Sequence, residues 1–586
     1  MNKLILHKTT RLGHRLLRTP FIAAGLSDAG CRATGWISGG LCGAGSPGTG
    51  WGKAAIVGTG LLKTGLLGAV VLATGLATGG CSGAGETKTL SRPNILLFLV
   101  DDMGWQDTSV PFHTERTPFN DLYRTPNMER LAAAGMKFIQ AYACSVCSPT
   151  RTSLMTGMNA ARHGVTNWTL YHNQSVDRPD DLLDFPLWNV NGLQPADCDS
   201  VERSVVATTL PQLLRANGYT TIHCGKAHWG AVGTPGADPL NLGFEVNIAG
   251  HAAGGPGSYL GEKNFGNAER GSHTLPWGVP GLEKYHGDTI NLTHALTLEA
   301  MAALDRAREN GKPFFLYMSH YAVHVPLEPD HRFYARYKAA GLSEAEARYA
   351  SMVEGMDQSL GDLMDYLDRH GLTENTVILF MSDNGGLSAE GRGGEPHTHN
   401  LPLRSGKGSA YEGGIREPMI VSWPGKVKPA TVCHDYLIIE DFFPTILEMA
   451  GIKKYKTVQK VDGKSFVSRL LEKKSTDAGS PSSDERDLVW HFPNKWGPAG
   501  PGIGTTSTIR HGDWKLVYWY CDGKKELFNI REDIGEQNDV ASLHPDVVAG
   551  LSARLGNHLR SVGALRPSFK SSGSPEIGRA SCRERV

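Results

Sequence analysis

Several absences narrow what this sequence encodes. It has no net charge, since 59 lysines and arginines balance 59 aspartates and glutamates over 586 residues. That balance argues against a general nucleic-acid binder or a surface that wraps polyanions, although net charge leaves a local basic pocket open. The apolar stretch Thr64 to Gly79 (TGLLGAVVLATGLATG) is short for a membrane-spanning helix. Zinc-type cysteine pairs are missing too. Six of the ten cysteines lie in the body of the chain, scattered at Cys144, Cys147, Cys198, Cys224, Cys433 and Cys521. The lone Cys-x-x-Cys, Cys144 to Cys147, runs into Ser-Pro-x-Arg, which is not a thioredoxin-like context. No internal repeat is present.

The two ends stand apart from the fold. Residues 1–90 are rich in Gly, Ala and Thr and nearly free of acids. They read as an export signal and low-complexity leader, with Lys53 and Lys63 ahead of the apolar stretch. Cys81 after Gly79-Gly80 resembles a bacterial lipoprotein cleavage site, and an ordinary secretory cut between Ala77 and Cys81 fits as well. A lipid anchor follows only if Cys81 is acylated. The expected location is outside the cytoplasm, periplasmic or on the outer surface of a bacterium. The segment before Lys53 is too long for a normal signal, so the true start is expected downstream of Met1. Residues 566–586 read as a disordered tail. Within it Glu576 to Val586 (EIGRASCRERV) reads as a translated sequencing adapter, so Cys582 is assigned no chemistry.

Between the ends, strands alternate with helices. Asn94 to Val100 (NILLFLV) is a continuous apolar run, the pattern of a buried parallel strand. Thr125-Pro126 opens a helix that stops at Gly135. Further strands are expected at Lys137 to Tyr142, Thr220 to Cys224, Pro313 to Ser319, Thr376 to Met381 and Pro418 to Trp423. Helices are expected at Leu210 to Ala216, Leu296 to Arg308, Glu344 to Arg369 and Glu440 to Ala450. This alternation predicts an α/β fold, a large mostly parallel sheet flanked by helices. From about Arg486 short strands replace it and a helix, Pro545 to Val562, follows. A smaller C-terminal α+β domain with an antiparallel sheet is expected there. The boundaries read as a catalytic domain at 91–455, a linker at 456–485 and the smaller domain at 486–565.

Ligands of open α/β sheets sit at the carboxyl ends of strands, and polar clusters fall there four times. Asp101-Asp102 follows NILLFLV. Asp383-Asn384-Gly385-Gly386 follows TVILFMS. Gly225-Lys226-Ala227-His228 follows TTIHC. His320 and His324 follow PFFLYMS. A lone Asp-Asp or Asp-Asn-Gly reads as a cap or a turn. Asp101, Asp102, Asp383 and Asn384 together, at two strand ends, offer hard oxygen ligands suited to Ca²⁺ or Mg²⁺ and not to zinc. Cys147-Ser148-Pro149-Thr150-Arg151 starts a helix, where a cysteine can be a low-pKa nucleophile. Alone, a cysteine reads better as an inert buried thiol, and the fixed offsets of Cys147, Pro149 and Arg151 weaken that reading.

With those residues in view, the chain resembles the type I, formylglycine-dependent sulfatases of the alkaline phosphatase-like superfamily, over roughly Arg92 to Val562. The Cys-x-Pro-x-Arg core and the following Thr152-Ser153-Leu154-Met155-Thr156-Gly157 match the family signature. The resemblance implies that a separate maturase oxidises Cys147 to formylglycine, which hydrates to a geminal diol. It implies one divalent cation, Ca²⁺ by preference and Mg²⁺ as the alternative, held by Asp101, Asp102, Asp383, Asn384 and the modified Cys147. Arg151 would steady the diol. Lys226 and Lys407 would grip sulfate oxygens. His228 would take the proton whose loss expels sulfate, and His324 with Lys407 would protonate the leaving alkoxide.

Three other readings compete. They are a phosphonate or phosphate ester hydrolase of the same superfamily, a non-catalytic binder of sulfated glycans, and a cytosolic thiol enzyme using Cys147 directly. An exported sulfatase is expected to act on polysaccharide or glycosaminoglycan fragments, with sulfated galactose or N-acetylhexosamine favoured. His251, His397 and His399 lie in Gly-rich loops, where they read as substrate contacts or as solvated side chains. His320 stays outside the catalytic set.

Overall fold

The computed structural model describes residues 92–198, 201–266, 276–389, 392, 394–472 and 486–570. The leader, Cys81 and the adapter-like tail lie outside the described residues. The described residues form one compact unit.

The apolar runs become strands of one sheet. In chain order these are β1 (Asn94–Val100), β2 (Met136–Tyr142), β3 (Thr220–Gly225), β4 (Val246–Ile248), β5 (Phe314–Ser319), β6 (Thr376–Ser382), β7 (Arg416–Ser422), β8 (Thr431–Cys433) and β9 (Leu437–Ile438). Among the described residues the spatial order is β8-β2-β7-β6-β1-β5-β3-β4, with β9 also paired to β2. The middle strand β1 runs parallel to both β5 and β6. The exception to the parallel pattern is β7, antiparallel to β6 and to β2. Its register shifts between Glu417 and Met419. Pro418 sits in that shift, where a residue without an N–H is tolerated.

β1 is apolar throughout because both faces are covered. Ile95, Leu97 and Leu99 belong to one core with Leu154, Leu210 and Phe442. Leu96, Phe98 and Val100 belong to the other, with Leu296, Met352 and Leu363. Each such side chain contributes about 1.5–3 kcal/mol by leaving water. The covering helices include α1 (Pro126–Ala134), α2 (Cys147–Thr156), α3 (Leu210–Ala216), α4 (Leu292–Glu309), α5 (Glu344–Arg369) and α6 (Phe442–Met449). Among the described residues no helix is long and apolar enough to cross a membrane.

The C-terminal antiparallel sheet is present, with strands Asp487–Phe492, Thr506–His511, Trp514–Trp519 and Lys525–Asn529 in sequential order. It is not set off as a separate body. Trp490 Nε1 donates to Ala143 O at 2.8 Å. Fully buried Lys515 bridges Glu412 and Glu536 at 2.9 and 2.8 Å. Two expectations change here. Much of the segment read as linker is packed, since Phe466 and Leu470 lie in the main core and Asp462 pairs with Arg162 at 2.7 Å. The start of the segment read as a disordered tail at 566 is structured, because Ser568–Phe569 pairs with Leu183–Asp184.

Candidate active site

The ends of β1 and β6 are tied together before any functional group is counted. Met103 N donates to Ser382 Oγ at 3.0 Å, and Asp102 N donates to Asp383 Oδ1 at 3.3 Å. Asp102 has φ +60°, in the left-handed region. That conformation costs a non-glycine residue about 1–2 kcal/mol and persists where surrounding bonds hold it. It turns Asp102 back beside Asp101 at the mouth of the sheet. His228, beyond β3, is held in the same way at φ +58°.

Helix α2 enters from the opposite side. Every residue of it is buried, so its polar groups need partners within the protein. Thr150 Oγ1 accepts from Cys144 N at 2.9 Å, and Trp229 Nε1 donates to Arg151 O at 3.1 Å. Cys147 and Arg151 are one turn apart and face the strand ends together. The Arg151 guanidinium contacts Asp383 Oδ2 through Nε at 2.9 Å and Nη2 at 2.7 Å. Its Nη1 donates to Lys226 O at 3.0 Å and to Ser319 Oγ at 2.6 Å.

Two further ion pairs complete the cluster. Lys226 Nζ lies 2.6 Å from Asp101 Oδ2, and Lys407 Nζ lies 2.7 Å from Asp102 Oδ1. His324 Nε2 is 3.8 Å from Asp102 Oδ2. Burial raises the Asp101 carboxyl well above the usual range, and Asp383 reinforces this against Lys226. Burial acts the same way on Asp102, but Lys407, His324 and Lys226 outweigh it and hold that carboxyl low. Lys407 is shifted up, because Asp102 beside it more than offsets its burial. Burial pushes the Cys147 thiol up despite Lys226 and Lys407. As a plain thiol, then, Cys147 is not a poised thiolate.

Asp101, Cys147 and Asp383 each bring a ligand atom within 4.8 Å of the others. Asp101 Oδ1 and Asn384 Oδ1 are buried without a hydrogen-bond partner among the described residues. Asn384 turns its amide nitrogen away, donating to Asp102 Oδ1 at 2.7 Å. Orphaned buried oxygens are costly unless something claims them, and a hard divalent cation fits this donor set. Above the cluster lies a cavity of about 560 Å³ whose lining includes Asp102, Cys147, His228, His324 and Lys407. All ten residues singled out in the sequence gather at this one place.

The sequence profile of the Sulfatase family matches residues 93–452, and that of the N-sulphoglucosamine sulphohydrolase C-terminal region matches 406–562. The chain belongs to the sulfatase family. A protein named sulfatase from Formosa agariphila is 30% identical over 524 residues, 80% of this chain and 88% of that one. Mouse N-acetylgalactosamine-6-sulfatase is 31% identical over 492 residues, 78% of this chain and 85% of its own. Among solved structures, Ps i-CgsB in complex with k-i-k-neocarrahexaose is 26% identical with a TM-score of 0.60, covering 80% of this chain and 92% of that one. Membership makes this chain a sulfuric ester hydrolase with an alkaline phosphatase-like fold.

Sequence reasoning missed several members of this sulfatase site. Ser319, the last residue of β5, holds Arg151 and carried no signal beyond its place at a strand end. Gly254 and Gly255, in the HAAGGPG run, carry no side chain for a spatial reason. A Cβ on Gly254 would stand 2.2 Å from His228 Cε1, and one on Gly255 would stand 2.8 Å from His324 Nδ1. Glu417 on β7 is fully buried with both oxygens unpartnered among the described residues. Burial, with Asp383 and Asp102, raises its carboxyl well above the usual range. His320 bonds Ser359 Oγ at 2.8 Å and His251 bonds Pro276 O at 3.0 Å, so both serve packing. His399 is buried, and His397 lies 3.5 Å from Ser388 Oγ. Neither lines the cavity that holds Cys147.

Proposed function

We propose that this sulfatase hydrolyses sulfate monoesters of sulfated carbohydrates through a formylglycine made from Cys147, with one divalent cation beside it. The observation that carries the reading is the convergence of Arg151, Lys226 and Lys407 with Asp101, Asp102, Asp383 and Asn384 around the first residue of α2. The carbohydrate assignment draws on the printed names of the mouse relative and of Ps i-CgsB with its neocarrahexaose. Asp101, Asp102, Asp383, Asn384 and the oxidised Cys147 would hold the cation. An oxygen-only set in a closed site favours Ca²⁺ over Mg²⁺, which keeps more of its water. Bound there, the cation supplies a Lewis acid that polarises a sulfate oxygen and the attacking hydroxyl. Hydrated formylglycine supplies two hydroxyls, one to attack sulfur and one whose deprotonation expels sulfate.

The remaining roles follow from the hydrogen bonds. His228 Nε2 lies 2.8 Å from Thr169 O, a pure acceptor, so the proton sits on Nε2. Nδ1 keeps its lone pair and has no partner among the described residues. Burial, Lys226 and Arg151 keep the ring neutral. His228 is therefore equipped as the base for the second hydroxyl. His324 Nδ1 donates to Val325 O at 2.7 Å, and burial with Lys407 shifts its pKa down to about 3. Lys407 thus carries the transferable proton for the leaving alkoxide, with His324 aligning it across Asp102. Arg151 and Lys226 offset the carboxylates and leave the pocket receptive to an anion. Sulfate esters hydrolyse so slowly that on the order of 20 kcal/mol must come from such terms.

The maturase that oxidises the Cys-x-Pro-x-Arg motif is the required partner. We place the activity outside the cytoplasm on the strength of the leader. A panel of defined sulfated sugars, assayed with and without chelation, tests the function. Turnover of at least one sulfate, lost on chelation and restored by Ca²⁺, is expected. Strong activity on phosphonate esters with none on any sulfate would overturn the reading.

A further inference from the structure

The cavity over Cys147, about 560 Å³, exceeds what a sulfate group fills, and its outer wall takes no part in the steps above. That wall is aromatic. Trp168, Tyr171, Trp277 and Trp496 all line it, none of them fully buried. Half-exposed aromatic faces gathered in one concavity mark a binding surface. Trp496 comes from the connection between the first two strands of the C-terminal sheet. It lies against Gly408, where a Cβ would stand 2.2 Å from Trp496 Cε3. Its ring centroid is 6.0 Å from Lys407 Nζ. The C-terminal sheet thus sets an indole face beside a sulfate-gripping lysine.

Arg178 lines the same wall. Two acids close to it in the chain, Asp177 and Asp180, are already engaged. Asp177 accepts from Asn167 Nδ2 at 2.8 Å, Trp188 Nε1 at 2.8 Å and Asn494 Nδ2 at 3.0 Å. Asp180 pairs with Lys495 at 2.8 Å. Arg178 has no acidic partner among the described residues, although its backbone N is fixed by Lys495 O at 3.0 Å. Its side chain passes over Gly497, where a Cβ would sit at an ordinary contact distance of 3.5 Å from Arg178 Nε. An unpaired guanidinium at the edge of an aromatic wall is a ready fork for a second oxyanion.

We propose that this wall is a substrate subsite, in which Trp496 stacks on the sugar ring and Arg178 pairs with a second anionic group, carboxylate or sulfate, on the neighbouring ring. The inference rests on the sulfated-carbohydrate reading. It makes the preferred substrate a polyanionic oligosaccharide and not an isolated monosulfated sugar.

The test uses the matured full-length enzyme and three disaccharides built on the most reactive sulfated sugar of the panel. The neighbouring ring is neutral in one, a hexuronate in the second and sulfated in the third. Arg178→Ala is expected to lose about tenfold more kcat/KM on one or both charged-neighbour substrates than on the neutral one, through KM. Arg178→Lys should recover part of that loss. A selective loss on the hexuronate assigns a carboxylate, and one on the disulfated substrate assigns a sulfate. Equal losses on all three, or a loss carried by kcat, would overturn the subsite while leaving the sulfatase reading intact. Failure of the matured wild type on every sulfate would overturn that reading and the subsite with it.

Discussion

Arg151 offers a perturbation whose size the structure fixes. Its guanidinium is fully buried, makes two contacts to Asp383 Oδ2 and lies 3.9 Å from Asp101. It also ties Lys226 O and Ser319 Oγ. Arg151→Met keeps much of the volume and removes the charge. Asp383 is then left buried without its main cationic partner, a change that costs about 3–5 kcal/mol. For a chain of this length that lowers the melting midpoint by on the order of 3–5 °C. A divalent cation should recover more of this loss in the variant than it adds to wild type, because more negative charge is left for it to offset. On the matured fraction, kcat should fall by roughly 10²–10³. The motif is also the maturase target, so formylglycine content is measured by peptide mass spectrometry and activity is scaled to it. A midpoint within about 1 °C of wild type, or a scaled kcat within about threefold, would refute the reasoning.

Ser319→Ala removes one buried acceptor from Arg151 Nη1, and a midpoint lower by about 1–3 kcal/mol equivalent is expected in thermal melts. Lys515→Met leaves Glu412 and Glu536 facing each other in the interior. Limited proteolysis should then release the C-terminal sheet region well before wild type is cut, as expected for a broken buried pair worth about 3–5 kcal/mol. Glu440, buried and next to Asp441, has its carboxyl raised to about 8 from a usual 4.5. A raised acid favours the folded state below its unfolded value, so its contribution is lost as pH climbs from 4.5 through about 8. Melting midpoints of Glu440→Gln should therefore fall less steeply than wild type between those limits.

The fold was legible because a parallel strand buried on both faces leaves an unbroken apolar run, and NILLFLV and TVILFMS could be little else. The site was legible because such sheets place polar residues where those runs end. Strand direction was not, since the antiparallel course of β7 leaves no mark in residue type beyond Pro418. The packed segment at 456–472 looked like linker because Phe466, Val467 and Leu470 are few among polar neighbours, and their burial depends on distant partners. Ser319 and Trp496 were invisible for a related reason. Their roles lie in what they touch far away in the chain, Arg151 for Ser319 and Lys407 for Trp496. Glu417 read as an ordinary charge on a strand, and its isolation among Asp102 and Asp383 appears only in three dimensions.

The most direct test of the account is the state of Cys147 in active enzyme. Protein produced with and without a formylglycine-generating maturase is purified, and the peptide containing Cys147 is analysed by mass spectrometry alongside sulfate ester hydrolysis. The account predicts formylglycine at this position, with activity rising in proportion to its content and close to zero in the unmodified chain. Full activity from protein whose Cys147 is entirely unmodified thiol would contradict it.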